Sequence, residues 1–251
     1  MLLEGKNAIV YGGGGAIGGA VARAFAREGA WVFLAGRTQG TLDAVANDIR
    51  AAGGRADTAA VDALDETQVG AHADAVAAEA GGIDVALNVI AHGDVQGTPL
   101  VDMQVDDFLR PVVTALRTNF LTSRAVARHM LRRNGGVILL FGGHGDPLRE
   151  FNLGGLQVAF GALEYLRRAL ASELGPHGVR VVTLQTAGVP ESIPSEVPGA
   201  QSIVQDIVGR TLLGRAATLA DVGEVAAFAA SDRARTITAS AINITCGTTW
   251  G

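Results

Sequence analysis

Short apolar runs alternate along the chain with longer segments in which apolar residues recur every three to four positions. The short runs have the length of buried strands, and the longer segments have the period of amphipathic helices. The predicted strands are residues 7–11, 31–36, 57–61, 85–89, 137–141, 179–184 and 241–244. The predicted helices are residues 17–28, 40–52, 65–80, 108–133, 156–174 and 219–230. This alternation predicts an α/β fold with a doubly wound, parallel, seven-stranded sheet.

A single domain over residues 1–251 is expected, because one α/β sheet of this size builds one core and no linker interrupts the pattern. The segment 187–205 is the exception to the periodicity. It contains Pro190, Pro194 and Pro198, which predicts a long loop late in the fold. Such a loop is either a lid over a functional site or an ordinary surface excursion.

Composition narrows the class of partner. Hydrophobic residues make up 48% of the chain and charged residues 18%, which excludes disorder. The net charge of −5 provides no basic surface for nucleic acid or an anionic membrane, so a small molecule is the expected partner. With no long uncharged apolar run and no cleavage-site pattern at the start, we expect a soluble, cytoplasmic protein. The lone Cys246 has no clustered metal-ligand partners, and we predict no metal site.

A glycine-rich turn follows the first predicted strand and leads into a helix. Gly13, Gly15 and Gly18 satisfy the pattern G-x-G-x-x-G, whereas a second register, G-x-x-x-G-x-G, is met by Gly12 and Gly18 but has Ala16 at its middle glycine. Dinucleotide phosphates need a tight turn, a backbone without Cβ atoms and free N–H groups at a helix N-terminus. The sequence therefore predicts a Rossmann-type dinucleotide site, without deciding between the two registers.

The end of the second strand predicts which dinucleotide binds. NAD-binding proteins place an acidic residue there to hold the ribose 2′-hydroxyl, whereas a cation accommodates the 2′-phosphate of NADP. Here the strand ends in Gly36-Arg37-Thr38, and Arg37 can form a bidentate contact with a phosphate. NADP is therefore the expected cofactor, with NAD the alternative.

From the glycine turn onward, the chain resembles the short-chain dehydrogenase/reductase family over nearly its whole length. Asp62 looks like the family's adenine-contacting aspartate, Asn88 like the first residue of its Asn-Asn-Ala-Gly motif, and Asn119 like the helix asparagine that holds a water in a proton relay. Residues 173–181 and 228–238 are also similar to family segments. Together with the turn, the resemblance implies these cofactor-binding residues: Gly12, Gly13, Gly15, Ile17, Gly18, Arg37, Asp62, Ala63 and Asn88.

The resemblance fails at the family's catalytic Ser, Tyr and Lys. Alignment of the active-site helix places the Tyr and Lys positions at Leu156 and Phe160, and the serine position at Gly143. A shifted alignment does not restore them, because Lys6 is the only lysine and Tyr165 lies nine residues beyond Leu156. The family's lysine also holds the nicotinamide ribose, and one lost charge-assisted hydrogen bond would weaken cofactor binding by roughly 1.5 to 3 kcal/mol.

Three residues are candidates for the missing proton chemistry. His144 follows Gly143 and has Asp146 two residues on, so it could donate a proton near pH 7. Asn119 could act through a bound water, as the resemblance implies. His92 follows the fourth strand at the same edge of the sheet and is a further, weaker candidate.

Three functional hypotheses remain open. The first is an NADP-dependent oxidoreductase that acts on a small carbonyl or alcohol substrate with a non-standard proton donor. The second is a non-redox protein on the same scaffold: a binding or regulatory module, or an isomerase, cyclase or dehydratase. The third is a structural subunit that assembles with an active relative. The resemblance also implies a homodimer or homotetramer formed through the helices predicted at 108–133 and 156–174.

Overall fold

Seven parallel strands build one sheet in the computed structural model, which describes residues 1–143, 151–194, 196–197 and 199–249. The strands are β1 (Asn7–Tyr11), β2 (Trp31–Gly36), β3 (Arg55–Ala60), β4 (Val85–Asn88), β5 (Gly136–Gly143), β6 (Val179–Thr186) and β7 (Ser240–Asn243). The α-helices in the described ranges are α1 (Ala16–Arg27), α2 (Gln39–Ala51), α3 (Glu66–Ala80), α4 (Val105–Arg133), α5 (Gly155–Leu174), α6 (Ala200–Gly209) and α7 (Leu219–Ala230). The predicted α/β class is confirmed.

The strand order is β3-β2-β1-β4-β5-β6-β7, so the chain changes direction across the sheet between β1 and β4. Ala8 of β1 is in register with Val32 of β2 on one side and with Val85 of β4 on the other. Ligands of open α/β sheets bind at the carboxyl ends of the strands beside this switch point. The topology therefore places the candidate site at the carboxyl edge, near the ends of β1 and β4.

Both faces of the sheet are covered by helices. Val10 and Leu34 pack towards α1, α2 and α7, whereas Ile9 and Phe33, one position earlier on the same strands, pack towards α3 and α4. Successive side chains of a strand point to opposite faces, which is why these parallel strands are apolar runs and not alternating ones. The resulting core on both faces holds the strand ends in fixed positions.

The ends of the predicted elements lie within three residues of the observed ones. Strands β5 and β6 each end two residues late, at Gly143 and Thr186. Strand β3 begins at Arg55, two residues early, because its pairing with β2 starts at Trp31 and Arg55. Helix α4 begins at Val105, three residues early, with Asp106 and Asp107 in its first turn. There they favour the helix N-terminus electrostatically. Helix α6 lies partly inside the segment predicted to be a loop.

Helix α5 begins in close contact with α4. A Cβ atom on Gly155 would lie 1.8 Å from the carbonyl oxygen of Phe108, so only glycine permits this approach of the two backbones. The preceding residue, Gly154, has a φ of +54°. These two glycines direct α5 across the carboxyl end of β5, where the sequence alignment placed the catalytic positions.

Candidate active site

The turn between β1 and α1 is tightly packed against the end of β4. Gly12 has a φ of +86°, and a Cβ atom there would lie 2.7 Å from the carbonyl oxygen of Val89. A Cβ atom on Gly18 would lie 2.2 Å from the carbonyl oxygen of Gly12. Glycine is therefore required at both positions for the turn and the helix to meet. The contact between Gly12 and Gly18 corresponds to the second register, in which Ala16 takes the place of the middle glycine.

The N-terminus of α1 is suited to an anion. Gly15 is its N-cap residue, makes no side-chain hydrogen bond to the first turn, and is followed by no acidic residue in that turn. Helix N-termini carry unpaired N–H groups and a partial positive charge. A Cβ atom on Gly15 would meet only the carbonyl oxygen of Gly12, at 3.4 Å, so the cap residue faces open space. The turn thus fits the pyrophosphate of a dinucleotide.

Ile17 lies in the first turn of α1 and packs partly against the core beneath it. The other predicted residue of the turn, Gly13, is buried, and a Cβ atom on it would lie 2.6 Å from Cδ2 of Leu34. Gly13 therefore serves the packing of the turn on β2. Of the predicted glycines, Gly15 has the most open surroundings.

Arg37 is exposed directly after β2. The nearest acid along the chain, Asp43, accepts hydrogen bonds from Gln39 Nε2 (2.7 Å) and Thr58 Oγ1 (2.8 Å). No carboxylate of the described ranges forms an ion pair with Arg37. Its guanidinium is therefore available to an anionic group at this edge.

Asp62 and Ala63 form the turn after β3. The Asp62 carboxylate accepts a hydrogen bond from the Leu64 backbone at 3.0 Å, and the Asp62 N–H donates to Gln68 Oε1 at 3.0 Å. Ala63 is buried beside them. These contacts fix the orientation of the carboxylate at the carboxyl edge of the sheet.

The side chain of Asn88 is buried and connects β4 to its surroundings. Its Nδ2 donates to Thr122 Oγ1 of α4 at 3.0 Å, and its Oδ1 accepts from the Ile90 N–H at 3.1 Å. The amide thus shapes the turn that follows β4. A ligand at this position would contact the backbone that Asn88 supports.

Asn119 is buried in α4, one helical turn before Thr122. Its Nδ2 donates to the Ala115 carbonyl at 2.9 Å, whereas its Oδ1 has no hydrogen-bond partner among the described residues. Leaving a buried polar oxygen unpaired costs about 1 to 3 kcal/mol. The free oxygen is therefore suited to accept a hydrogen bond from a water molecule.

An aromatic ring covers the end of β5. A Cβ atom on Gly143 would lie 2.6 Å from Cε2 of Phe160, and one on Gly142 would lie 3.3 Å from its Cδ1. The absence of side chains at both glycines makes room for the ring. Leu156, one turn earlier on α5, is buried. The positions aligned with Tyr and Lys thus hold two apolar side chains, of which the Phe160 ring lies against the strand end.

His92 lies next to this ring. The centroids of the His92 and Phe160 rings are 6.2 Å apart, with the planes at 65°. Burial lowers the pKa of His92, and the nearby Asp94 opposes this effect. The imidazole is therefore mostly neutral at pH 7.

The two tyrosines and the lysine of the chain lie away from this group. Tyr11 is 1% exposed within the core, and its hydroxyl has no described partner. Tyr165 is exposed on α5, where Arg168 lies 5.3 Å from its ring. Lys6 precedes β1, at the opposite edge of the sheet, and pairs with Asp232 at 3.3 Å.

His144 and Asp146, proposed from the sequence as a proton donor and its orienting group, lie outside the described residues. Of the other histidines, His72 is largely buried beneath the sheet beside Tyr11, with ring centroids 5.7 Å apart. His129 pairs with Asp74 at 2.8 Å, and His177 is exposed in the connection between α5 and β6.

The contact between His92 and Phe160 was missed by sequence reasoning, since it joins residues 68 positions apart. The Gly142-Gly143 pair at the end of a strand was its only signal.

Within the described ranges, no helix is long and apolar enough to cross a membrane. No group of three or more His, Cys, Asp or Glu side chains in that part of the chain could hold a metal ion.

Comparison with known proteins identifies the family. A sequence model described as enoyl-(acyl carrier protein) reductase matches residues 14–249. The oxidoreductase asL5 of Sarocladium schorii is 30% identical over 250 residues, which are 98% of this chain and 96% of that protein.

Two solved structures share the fold across nearly the whole chain. The crystal structure of gox2181 superposes with a TM-score of 0.89 at 25% identity, covering 98% of this chain and 96% of its own. A 7α-hydroxysteroid dehydrogenase, complexed with NADH and 7-oxo glycochenodeoxycholic acid, superposes with a TM-score of 0.86 at 26% identity, covering 98% and 94%. The chain belongs to the short-chain dehydrogenase/reductase family.

Proposed function

We propose that the protein is an NADP-dependent oxidoreductase that acts on the carbonyl or alcohol group of a small molecule without the usual Ser-Tyr-Lys triad. The observation that carries this proposal is the glycine turn at the N-terminus of α1, where no side chain caps the helix and which lies at the carboxyl edge of the sheet. The 7α-hydroxysteroid dehydrogenase, which shares the fold, was solved with NADH and an oxo compound. Both support a nicotinamide dinucleotide at the same edge here.

Arg37 supports the preference for NADP. It is the charged residue at the end of β2, where the cofactor's 2′-substituent is expected, and Gly36 and Thr38 on either side add no negative charge. An exposed guanidinium can hold a phosphate through two parallel hydrogen bonds.

Replacing Arg37 by Ala should therefore weaken NADPH binding at least tenfold and leave NADH binding unchanged, as measured by fluorescence titration. Arg128→Ala, a change of an exposed arginine on α4, is the control. Equal loss for both cofactors would contradict the preference.

The positions of the two tyrosines and the lysine support the proposed absence of the triad. Tyr11 is enclosed in the core, Tyr165 is exposed on α5 and Lys6 is at the opposite edge. On this proposal, the apolar ring of Phe160 replaces a charged contact to the nicotinamide ribose.

The chain's own residues then have separable tasks. A bound NADPH would supply the hydride. The N-terminus of α1 would hold the pyrophosphate, Asp62 and Ala63 would border the adenine, and Phe160 would exclude water from the reacting end. Asn119 Oδ1, which lacks a partner among the described residues, would hold a water for proton exchange.

The proposal also includes a homo-oligomer. The exposed large apolar residues of α4 are Val105, Leu109, Val113 and Phe120, which share one face at helical spacing. Val158 and Tyr165 form a similar exposed row on α5. Such apolar faces on adjacent long helices suit a symmetric interface with a second copy of the chain.

The test is NADPH oxidation followed at 25 °C with a panel that contains cyclohexanone, acetophenone and a 7-oxo bile acid. We expect turnover of at least one ketone, and a much lower rate after Gly15→Asp places a carboxylate before the N-terminus of α1. Tight NADPH binding with no turnover on any ketone, imine or enone would contradict the redox proposal.

Tight NADPH binding without turnover would favour a second function, which the apolar side chains of Leu156 and Phe160 support. Leu156 and Phe160 give the site an apolar floor that could hold a ligand for binding, isomerisation, cyclisation or dehydration without hydride transfer. Loss of a measured reductase activity on changing a residue of the site would exclude this alternative.

A further inference from the structure

The ends of β4 and β5 bring one titratable side chain together with the aromatic ring. The two strands are neighbours in register, with Asn88 beside Leu140. Four residues after Asn88 comes His92, and two to three residues after Leu140 come the glycines on which Phe160 lies. The imidazole therefore lies at the carboxyl edge, at the position where a reacting group is expected.

The backbone around His92 is held from α4. Gly93 has a φ of +71°, and its carbonyl accepts a hydrogen bond from Arg110 Nη1 at 3.4 Å. Arg110 in turn donates to Asp107 at 2.7 Å within the same helix. The turn that presents the imidazole is thus attached to a long helix, which limits the freedom of His92 before a ligand binds.

The surroundings set the charge of the imidazole. The ring of Phe160 lies beside it in an edge-type arrangement. The charged groups of the described ranges beside it are Asp94 and, through Gly93, Arg110. Removal of water by burial outweighs the attraction of Asp94 for a proton, so the pKa of His92 falls below its ordinary value. A neutral imidazole can both accept a proton at one ring nitrogen and donate one from the other.

We propose that His92 is the catalytic residue that exchanges the hydroxyl proton of the substrate, in the role that the family gives to tyrosine. This inference rests on the oxidoreductase function proposed above. In the oxidation direction, the alcohol O–H bond breaks and its proton goes to a ring nitrogen of His92. The carbinol C–H bond breaks with its electron pair, which leaves as hydride to the oxidised dinucleotide, and the C–O bond becomes C=O. Reduction is the reverse.

The first experiment reads the state of His92 without turnover. The chain has five histidines, so the ring proton signal that disappears in His92→Gln identifies His92 in the NMR spectrum. We expect this signal to titrate below the ordinary histidine pKa, and to shift when NADP⁺ and cyclohexanol are added to the wild-type protein. A His92 signal that ignores both additions while other signals move would overturn the proposal.

The second experiment uses the ketone that the wild-type protein reduces. His92→Gln and His92→Ala should each lower kcat at least 100-fold while NADPH still binds with unchanged affinity. Added imidazole should restore part of the rate to His92→Ala, where it has space, and none to His92→Gln. His177→Gln, the same change at an exposed histidine, should keep the wild-type rate.

The outcomes separate the two proposals. If the wild-type protein reduces a ketone and His92→Gln does so equally well, the role of His92 is wrong and the oxidoreductase function stands. Loss of the rate in His144→Ala with retention in His92→Gln likewise overturns the role of His92 and assigns the proton to His144. If the wild-type protein reduces nothing on the panel, both proposals fall.

Discussion

At the end of β5, the ring of one phenylalanine packs against two glycines. The ring of Phe160 lies where side chains on Gly142 and Gly143 would stand, so the residue types at these positions depend on one another. A Cβ atom at position 143 would force the ring of Phe160 out of its present place. At the residue scale, the absence of a side chain at position 143 and the aromatic ring at position 160 are therefore one structural feature.

Gly143→Ser should consequently destabilise the protein by about 1 to 3 kcal/mol, since the new Cβ would overlap the Phe160 ring. The double variant Gly143→Ser with Phe160→Ala should lose less than the sum of the single losses, because the smaller residue vacates the space. Urea unfolding measures both.

Gly161→Ser is the matched control for this cycle. It lies on the same helix as Phe160, and a Cβ there would meet nothing within 4 Å. We expect its free energy of unfolding to stay within about 0.5 kcal/mol of wild type. If Gly143→Ser is as stable as this control, the steric exclusion between positions 143 and 160 is wrong.

At the element scale, the turn between β1 and α1 separates structural from ligand-facing glycines. Gly18 is fixed by its contact with Gly12, whereas Gly15 caps α1 with its α-carbon towards open space. Sequence spacing alone allowed two registers and could not tell a structural glycine from a ligand-facing one, because both patterns share Gly18. The close approach of Gly18 to the backbone of Gly12 identifies Gly18 as structural.

Gly18→Ala should lower the free energy of unfolding by about 2 kcal/mol or more, because its Cβ would lie 2.2 Å from a carbonyl oxygen. Gly15→Ala should keep the stability within about 0.5 kcal/mol and yet weaken NADPH binding, since a methyl group would stand before the helix N-terminus. Thermal unfolding and NADPH titration on each variant test this difference. Unchanged NADPH affinity in a stable Gly15→Ala would contradict the placement of the pyrophosphate.

Tyr11 of β1 and His72 of α3 form a buried pair, which predicts that the free energy of unfolding depends on pH. Burial lowers the pKa of His72 to about 4, so the unfolded chain binds a proton there more readily than the folded one. The stability from this group is complete above pH 6.5 and is lost as the pH falls from about 6.5 to about 4, by roughly 3 kcal/mol.

His72→Phe should flatten this part of the stability profile, because the ring is kept and the proton site is removed. The measurement is the free energy of urea unfolding between pH 4 and 7, with His177→Gln as the exposed control. A wild-type profile as flat as that of His72→Phe would show that His72 is not buried in a neutral form.

The fold was more predictable than the site. The strands of the sheet were recognisable because parallel strands buried on both faces are continuous apolar runs, as in Trp31–Gly36. Helix α6 was missed because Pro190 and Pro194 obscured the periodicity of the segment before it. The contact of His92 with Phe160 was not predictable, because it depends on the parallel register of β4 and β5 and on the path of α5.

The whole molecule combines the sheet topology of its family with an apolar group at the proposed reacting end. The sheet order, the turn at the switch point and the oriented Asp62 belong to the half that would hold adenine and phosphate. The apolar group of Leu156 and Phe160 belongs to the other half. The same two long helices that frame this end also expose the apolar faces proposed to join two copies.

Val113→Asp should therefore shift the protein to a smaller species, because a charge in a symmetric apolar interface would be buried twice. Light scattering on a sizing column measures the change. Val101→Asp, at a still more exposed valine before α4, is the control and should leave the size unchanged. A wild-type protein that runs as a monomer would contradict the interface.

The most direct test of a dinucleotide site in this chain is a calorimetric titration of the wild-type protein with NADPH and, separately, with NADH, in the absence of any substrate. The glycine turn and Arg37 predict saturable binding of NADPH at one site per chain, with weaker binding of NADH. No saturable binding of either dinucleotide up to millimolar concentration would contradict it.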